Sequence, residues 1–245
     1  MKTFYAALLI VISSFYLFSQ DLTVSEIIGK YEDTMKHKTE SIEARITTTD
    51  NFGTTHRTFQ IYSRENGDTL IIITDGPDKG QKILRLENSI FLFYPSAEEV
   101  IRLTGSALKE NIAGTDFSYE DLSGSVSIEI SYNVLYKGME EINSHSCYVL
   151  ELNAKKKTQA YQKQILYIDS ANFTAVKTVV YSASGKALRE IISSEVSQVS
   201  GKYIPFKTIV TDLLKKNSKT EMTILNASFN ENLPDSYFSR EALTW

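Results

Sequence analysis

The sequence predicts a mainly β chain: an antiparallel series of about eleven strands, headed by one helix, that curls into a barrel or half-barrel. Three observations predict it. Runs of five to ten residues rich in β-branched and aromatic side chains recur from Ser41 almost to the end, the composition of strands. Between them stand turn signals such as Asn66-Gly67, Gly76-Pro77 and Gly185, which join neighbouring strands as hairpins. A sheet of so many sequential strands twists too strongly to stay flat.

The first element lies outside that sheet. Lys2 precedes an apolar run from Phe4 to Ile12, and the segment turns polar after Ser19, the layout of a secretory signal peptide. Residues 1–19 are therefore expected to be removed, leaving residues 20–245 as one domain of roughly 225 residues that works outside the cytoplasm. A retained membrane anchor is the rival reading of the same run. Cys147 is the only cysteine, so no internal disulfide can form and the core must hold the fold. The formal net charge of −4 argues against a nucleic-acid surface, which needs a basic excess on one face.

Next, Leu22, Ile27, Ile28, Tyr31 and Met35 fall near one stripe of a helix between residues 21 and 38, with Thr23 or Ser25 as cap and Glu26 in the first turn. Strands follow at residues 42–49, 55–63, 69–74, 82–86 and 90–94, with 97–103 as a continuation. Residues 105–113 and 116–122 read as short helices joined at Gly114-Thr115, an irregular insert of the kind that often carries function. Strands resume at 126–136, with a turn at Gly138, and then at 146–152, 163–168, 175–182, 187–199, 203–213 and 219–229.

Several stretches, in this order, resemble the LolA-like outer-membrane lipoprotein-sorting proteins: Ile90-Phe91-Leu92-Phe93-Tyr94-Pro95, Gly114-Thr115-Asp116-Phe117-Ser118-Tyr119-Glu120-Asp121-Leu122, Tyr203-Ile204-Pro205 and Leu233-Pro234-Asp235-Ser236-Tyr237-Phe238. The resemblance implies a half-open antiparallel β-barrel closed by helices, with an apolar cavity for the acyl chains of a lipoprotein or lipid and no catalysis. It also implies an inner-membrane exporter and an outer-membrane acceptor as partners, and a monomer without cofactor. Alternate positions on the strands make Phe59, Ile61, Leu70, Ile72, Leu84, Leu86, Phe91, Phe93, Ile130, Tyr132, Val134, Val149, Leu166 and Ile168 candidates for the cavity wall. Alternation leaves open whether such residues line a cavity or fill a core. The lid would comprise Leu108, Ile112, Phe117, Tyr119 and Leu122, and Arg64 matches an arginine that ties the lid shut in the carriers.

Other chemistry is weakly signalled. Asp116, Tyr119, Glu120 and Asp121 lack a calcium-loop pattern and an adjacent basic partner, so Thr115 or Asp116 reads as a helix cap. His37, His56 and His145 show no metal spacing, and no nucleophile elbow or phosphate loop occurs. Cys147 and His145 share a strand face but lack a visible third group, so Cys147 reads as a buried structural residue. A non-enzymatic carrier is the expected function. A sensing or scaffolding domain that binds a membrane regulator is the alternative.

Overall fold

The computed structural model describes residues 22–244 except 88, 104–106, 108, 109, 123–126, 158, 160 and 216. The expected signal segment lies outside the described residues. Helix α1 (Val24–Thr34) opens with a capping box: the Thr23 hydroxyl accepts from the Glu26 amide at 3.3 Å, and the Glu26 carboxylate accepts from the Thr23 amide at 2.8 Å. It stops four residues short of the expected end because the chain turns there into the first strand.

Among the described residues thirteen strands form one antiparallel sheet, where about eleven were expected. They are β1 (Thr39–Asp50), β2 (Gly53–Arg64), β3 (Thr69–Asp75), β4 (Lys82–Leu86), β5 (Ser89–Tyr94), β6 (Glu99–Leu103), β7 (Tyr132–Ile142), β8 (His145–Ala154), β9 (Lys163–Asp169), β10 (Ala175–Tyr181), β11 (Ala187–Val199), β12 (Lys202–Asp212) and β13 (Lys219–Phe229). The order is not a simple meander from end to end. β1 pairs with β13 at the centre, so β1–β6 and β13–β7 run outward as two meanders, and β6 and β7 form the edges. The sheet is open, as the half-open architecture requires.

Two local expectations change. Residues 126–136 are not one strand, because α3 (Ile128–Ser131) precedes β7. Gly138 is no hairpin turn: it sits in a bulge of β7, and the chain reverses at Asn143 and Ser144, both with positive φ. The helical insert contains a 3-10 turn (Ile112–Gly114) and α2 (Tyr119–Leu122), and two further 3-10 turns (Asp235–Phe238 and Arg240–Leu243) end the described chain.

Cross-strand register defines two faces. On the inner face, Ile42, Ala44 and Ile46 of β1 align with Phe59 and Ile61 of β2, Ile71 and Ile73 of β3, and Ile83 and Leu92 beyond. The same face continues through Met222, Val210 and Ile191 to Leu166 and Leu150. α1 covers its far part, where Ile27 and Ile28 pack with Tyr132, Leu150, Leu152, Leu166 and Ile168. The insert covers its near part, where Ile112, Phe117 and Tyr119 pack on Phe59, Ile71 and Ile83. On the outer face of β3–β5, the C-terminal turns seat Ala242 and Leu243 against Leu70 and Leu84.

Candidate functional site

The register divides the expected cavity wall between the two faces. Phe59, Ile61, Tyr132, Val134, Leu166 and Ile168 lie on the inner face. Leu70, Ile72, Leu84, Leu86, Phe91 and Phe93 lie on the outer face beneath the C-terminal turns. Val149 also faces outward, since it neighbours inward-facing Leu150 in β8, and Ile130 stands on α3 with 68% of its surface exposed. The seven outward-facing residues cannot share a cavity with Phe59 and Ile61.

At the margin of the part covered by the insert, the inner face carries apolar side chains that are only half-buried: Ile42, Ile191 and Met222, which pack against the insert's cluster, and Ile224 and Ala227 beside them on β13. Apolar surface that reaches water beside a cover is the feature an apolar ligand would use.

The insert is held by two polar latches. In the first, the Asp116 carboxylate is buried and accepts from Ser218 Oγ at 2.8 Å, Thr220 Oγ1 at 3.0 Å and Lys215 Nζ at 3.1 Å, while its own amide donates to Thr220 Oγ1 at 2.9 Å. Asp116 therefore anchors the insert to β13 and is not a helix cap. The cap of α2 is Ser118, whose amide donates to Asp121 Oδ2 at 2.8 Å while its hydroxyl accepts from the Asp121 amide at 3.2 Å.

In the second latch, Arg189 of β11 donates to Asp121 Oδ2 at 3.1 Å and to Asn111 Oδ1 at 2.6 Å. The Tyr161 hydroxyl donates to Asp121 Oδ1 at 2.6 Å. Burial and the Asp121 charge hold the Tyr161 phenol well above its usual range, so it stays a donor. Between the latches, Ala113 and Gly114 both take positive φ. A Cβ on Gly114 would come no nearer than 3.8 Å to the Arg57 guanidinium, so the φ of 71° asks for glycine and crowding does not.

Of the expected lid residues, Ile112, Phe117 and Tyr119 come together on the inner face. Leu108 lies outside the described residues, and Leu122 ends α2. Arg64 does something else. It binds Asp68 at 2.7 Å and Asp235 at 3.3 Å and stacks on Phe238 at 4.5 Å, so it fastens the C-terminal segment instead of the insert. Lys82 donates to the Ala242 carbonyl at 3.0 Å in the same seam.

Cys147 is buried, its thiol pushed up to about 11 chiefly by burial. A third group does accompany it: Asp169 lies across from it in β9 and holds His145 Nδ1 at 2.6 Å. The thiol nevertheless donates to the His145 carbonyl at 3.4 Å and remains protonated, so the trio ties strands together. Sequence reasoning missed Arg189, Tyr161, Ser218 and Thr220, which lie 28 to 104 residues from their partners.

An open antiparallel sheet with an apolar inner face, one helix packed on it and an insert over it is the fold expected of a half-open barrel. Solved structures agree. A DUF1329 family protein from Desulfovibrio piger superposes with a TM-score of 0.82 at 21% identity, covering 89% of this chain and 96% of that one. A domain from Vibrio parahaemolyticus described as an outer membrane lipoprotein-sorting protein gives 0.81 at 22% identity, covering 90% and 97%. A LolA superfamily protein from Nitrosomonas europaea gives 0.76 at 23% identity, covering 91% and 100%. The fold is LolA-like. No curated protein matches the chain. A family model described as "-like: Uncharacterized protein" matches residues 65–245, and the chain belongs to that family.

Proposed function

We propose that this chain is a periplasmic carrier that takes acyl chains of a lipoprotein or lipid onto its inner face and moves them toward the outer membrane without catalysis. The observation that carries this reading is the half-buried apolar strip of Ile42, Ile191, Met222, Ile224 and Ala227 beside a cover fastened by polar groups. Each methylene removed from water contributes about 0.8 kcal/mol, so one acyl chain supplies on the order of 10 kcal/mol before ordering costs. That is enough to offset displacement of a cover whose latches are hydrogen bonds and ion pairs worth about 1 to 3 kcal/mol each. The signal-like segment at residues 1–19 and the description of the Vibrio parahaemolyticus structure support a periplasmic site of action.

The test is to purify the chain after expression with its own leader, extract it with organic solvent and search the extract for lipid or lipopeptide by mass spectrometry. Stoichiometric acyl-bearing cargo is expected. Folded protein that yields none would overturn the reading.

A docking role has one specific observation in its favour. Edge strand β7 presents Leu135 and Met139, 53% and 49% exposed, and an edge with apolar side chains can accept a strand from a partner. A membrane-bound regulator, exporter or acceptor would fit there, and pull-down of a single envelope protein that is lost on Leu135→Lys would favour this second reading.

A further inference from the structure

We propose that Glu40 and His37 form a head-group subsite at one end of the inner apolar strip, selective for a lipid whose head carries a primary ammonium. The proposal rests on the carrier reading and names the class of cargo. Glu40 continues the inward row of Ile42, Ala44 and Ile46 on β1, and it stands across from Ser63 on β2 and Phe229 on β13. The other carboxylate of that row, Asp50 at its far end, accepts from the Phe52 amide, whereas among the described residues no hydrogen-bond or ionic partner meets Glu40. A half-buried carboxylate pointing along an apolar surface is costly unless something pairs with it.

The second observation is independent. The His37 ring stacks on Phe229 with centroids 4.1 Å apart, which puts it on the inner side next to Glu40. His37 is only 7% exposed, and its Nδ1 is buried without a hydrogen-bond partner. Burial lowers the affinity of His37 for a proton, so the ring stays neutral and one ring nitrogen remains an acceptor. The nearby cation, Lys202, is committed to the carbonyls of Asp33 and Lys36. A carboxylate and a buried imidazole nitrogen, both without partners among the described residues, thus flank one aromatic ring at the end of an apolar strip.

This end is remote from the latches. Glu40 sits near the start of β1, whereas Thr48 pairs with Thr220 and the Asp116 latch near the other end. An acyl chain lying along Met222, Ile42 and Ile224 would bring its head to Glu40 with the insert left closed above the opposite end. A primary ammonium offers three donors and a full charge, which match a carboxylate and an imidazole nitrogen. A quaternary head has the charge but no donor. Burial pushes the Glu40 carboxyl up to about 7, which fits a group kept without a counter-charge until a cation arrives.

The experiment incubates the full mature chain with vesicles of equal parts phosphatidylethanolamine, phosphatidylcholine and phosphatidylglycerol, re-isolates the protein and quantifies bound lipid by mass spectrometry. The wild type is expected to favour phosphatidylethanolamine over phosphatidylcholine by about fivefold or more. Glu40→Gln, a near-isosteric change, is expected to lower uptake of phosphatidylethanolamine and bring that ratio to within about twofold of unity. Uptake without head-group preference in the wild type, equal uptake of phosphatidylglycerol, or a preference that survives Glu40→Gln would each overturn the subsite and leave the carrier standing. No uptake of any lipid would overturn both.

Discussion

At the scale of single residues, the inner face contains charges that conflict with its surroundings, and each conflict has a measurable consequence. Glu40 carries a carboxyl raised to about 7 by burial, against a usual value near 4.5. The folded protein thus binds more protons than the unfolded chain between those two values, so stability falls as pH rises through that window. The groups that face Glu40 from β2, β13 and the α1–β1 link are Ser63, Phe229 and His37, none of them a cation. Urea unfolding should show a loss of about 2 kcal/mol between pH 4.5 and 7.5 from this group, and Glu40→Gln should remove that slope. An unchanged slope in the variant would assign the pH dependence elsewhere. Asp116 is the opposite case, a buried carboxylate satisfied by Ser218, Thr220 and Lys215. Asp116→Ala leaves two buried hydroxyls without their acceptor and should cost about 2 to 3 kcal/mol of stability, read as a shifted urea midpoint at constant slope.

At the scale of elements, what was legible in the sequence was the period of each strand, and what was not was the phase between strands. Alternation correctly groups Leu84 with Leu86 and Phe91 with Phe93. Whether that row shares a side with Phe59 depends on turn length and on the bulge where Thr58 pairs with Asp75 but Phe59 with Ile73. A single extra residue moves a whole row to the other face. The ambiguity was real because both faces of β3–β5 are apolar, the outer one being covered by Ala242 and Leu243 from the far end of the chain. The latches were illegible for a related reason: Arg189 and Asp121 meet only once β11 is folded against the insert. The start of α1 was readable to within Thr23 or Ser25 because its cap hydrogen bond spans three residues, whereas the cap of α2 is Ser118 and not the expected Thr115 or Asp116. The face assignment makes a paired prediction. Met222→Asp, on the half-buried inner strip, should reduce lipid uptake about tenfold or more while lowering stability by no more than about 1 kcal/mol. Phe93→Asp, under the C-terminal turns, should destabilise the protein by about 3 kcal/mol or more and affect uptake only through unfolding. Equal effects of the two on uptake per folded molecule would contradict the division of the faces.

At the scale of the whole molecule, two halves of one sheet meet at the β1–β13 pair; α1 covers the outlying strands of one half, and the insert covers the other and reaches across to Val210 of β12. α1 is bound to the far half by a continuous apolar seam of Ile27, Ile28, Tyr132, Leu150 and Leu166. The insert differs: its apolar side chains Ile112, Phe117 and Tyr119 sit between two polar anchors, Asp116 on β13 and Asp121 on Arg189. Hydrogen-bonded and ionic anchors exchange their partners for water when they open, at about 1 to 3 kcal/mol each, whereas an apolar seam separates only at a cost proportional to its area. The insert should therefore be the cover that opens, with α1 and the sheet remaining in place. Native-state amide exchange reads this directly. The amides of Asp116, Ser118 and Asp121, which donate to Thr220 Oγ1, Asp121 Oδ2 and Ser118 Oγ, should exchange through a sub-global opening, faster than amides in the β1–β2 ladder by about 100-fold or more. Arg189→Met should accelerate those three amides by about another tenfold and leave the β1–β2 ladder unchanged. If all of them instead exchanged at one common rate, with or without Arg189, the insert would open only when the whole sheet unfolds, and the inner face could be reached by cargo only along the strip that ends at Glu40.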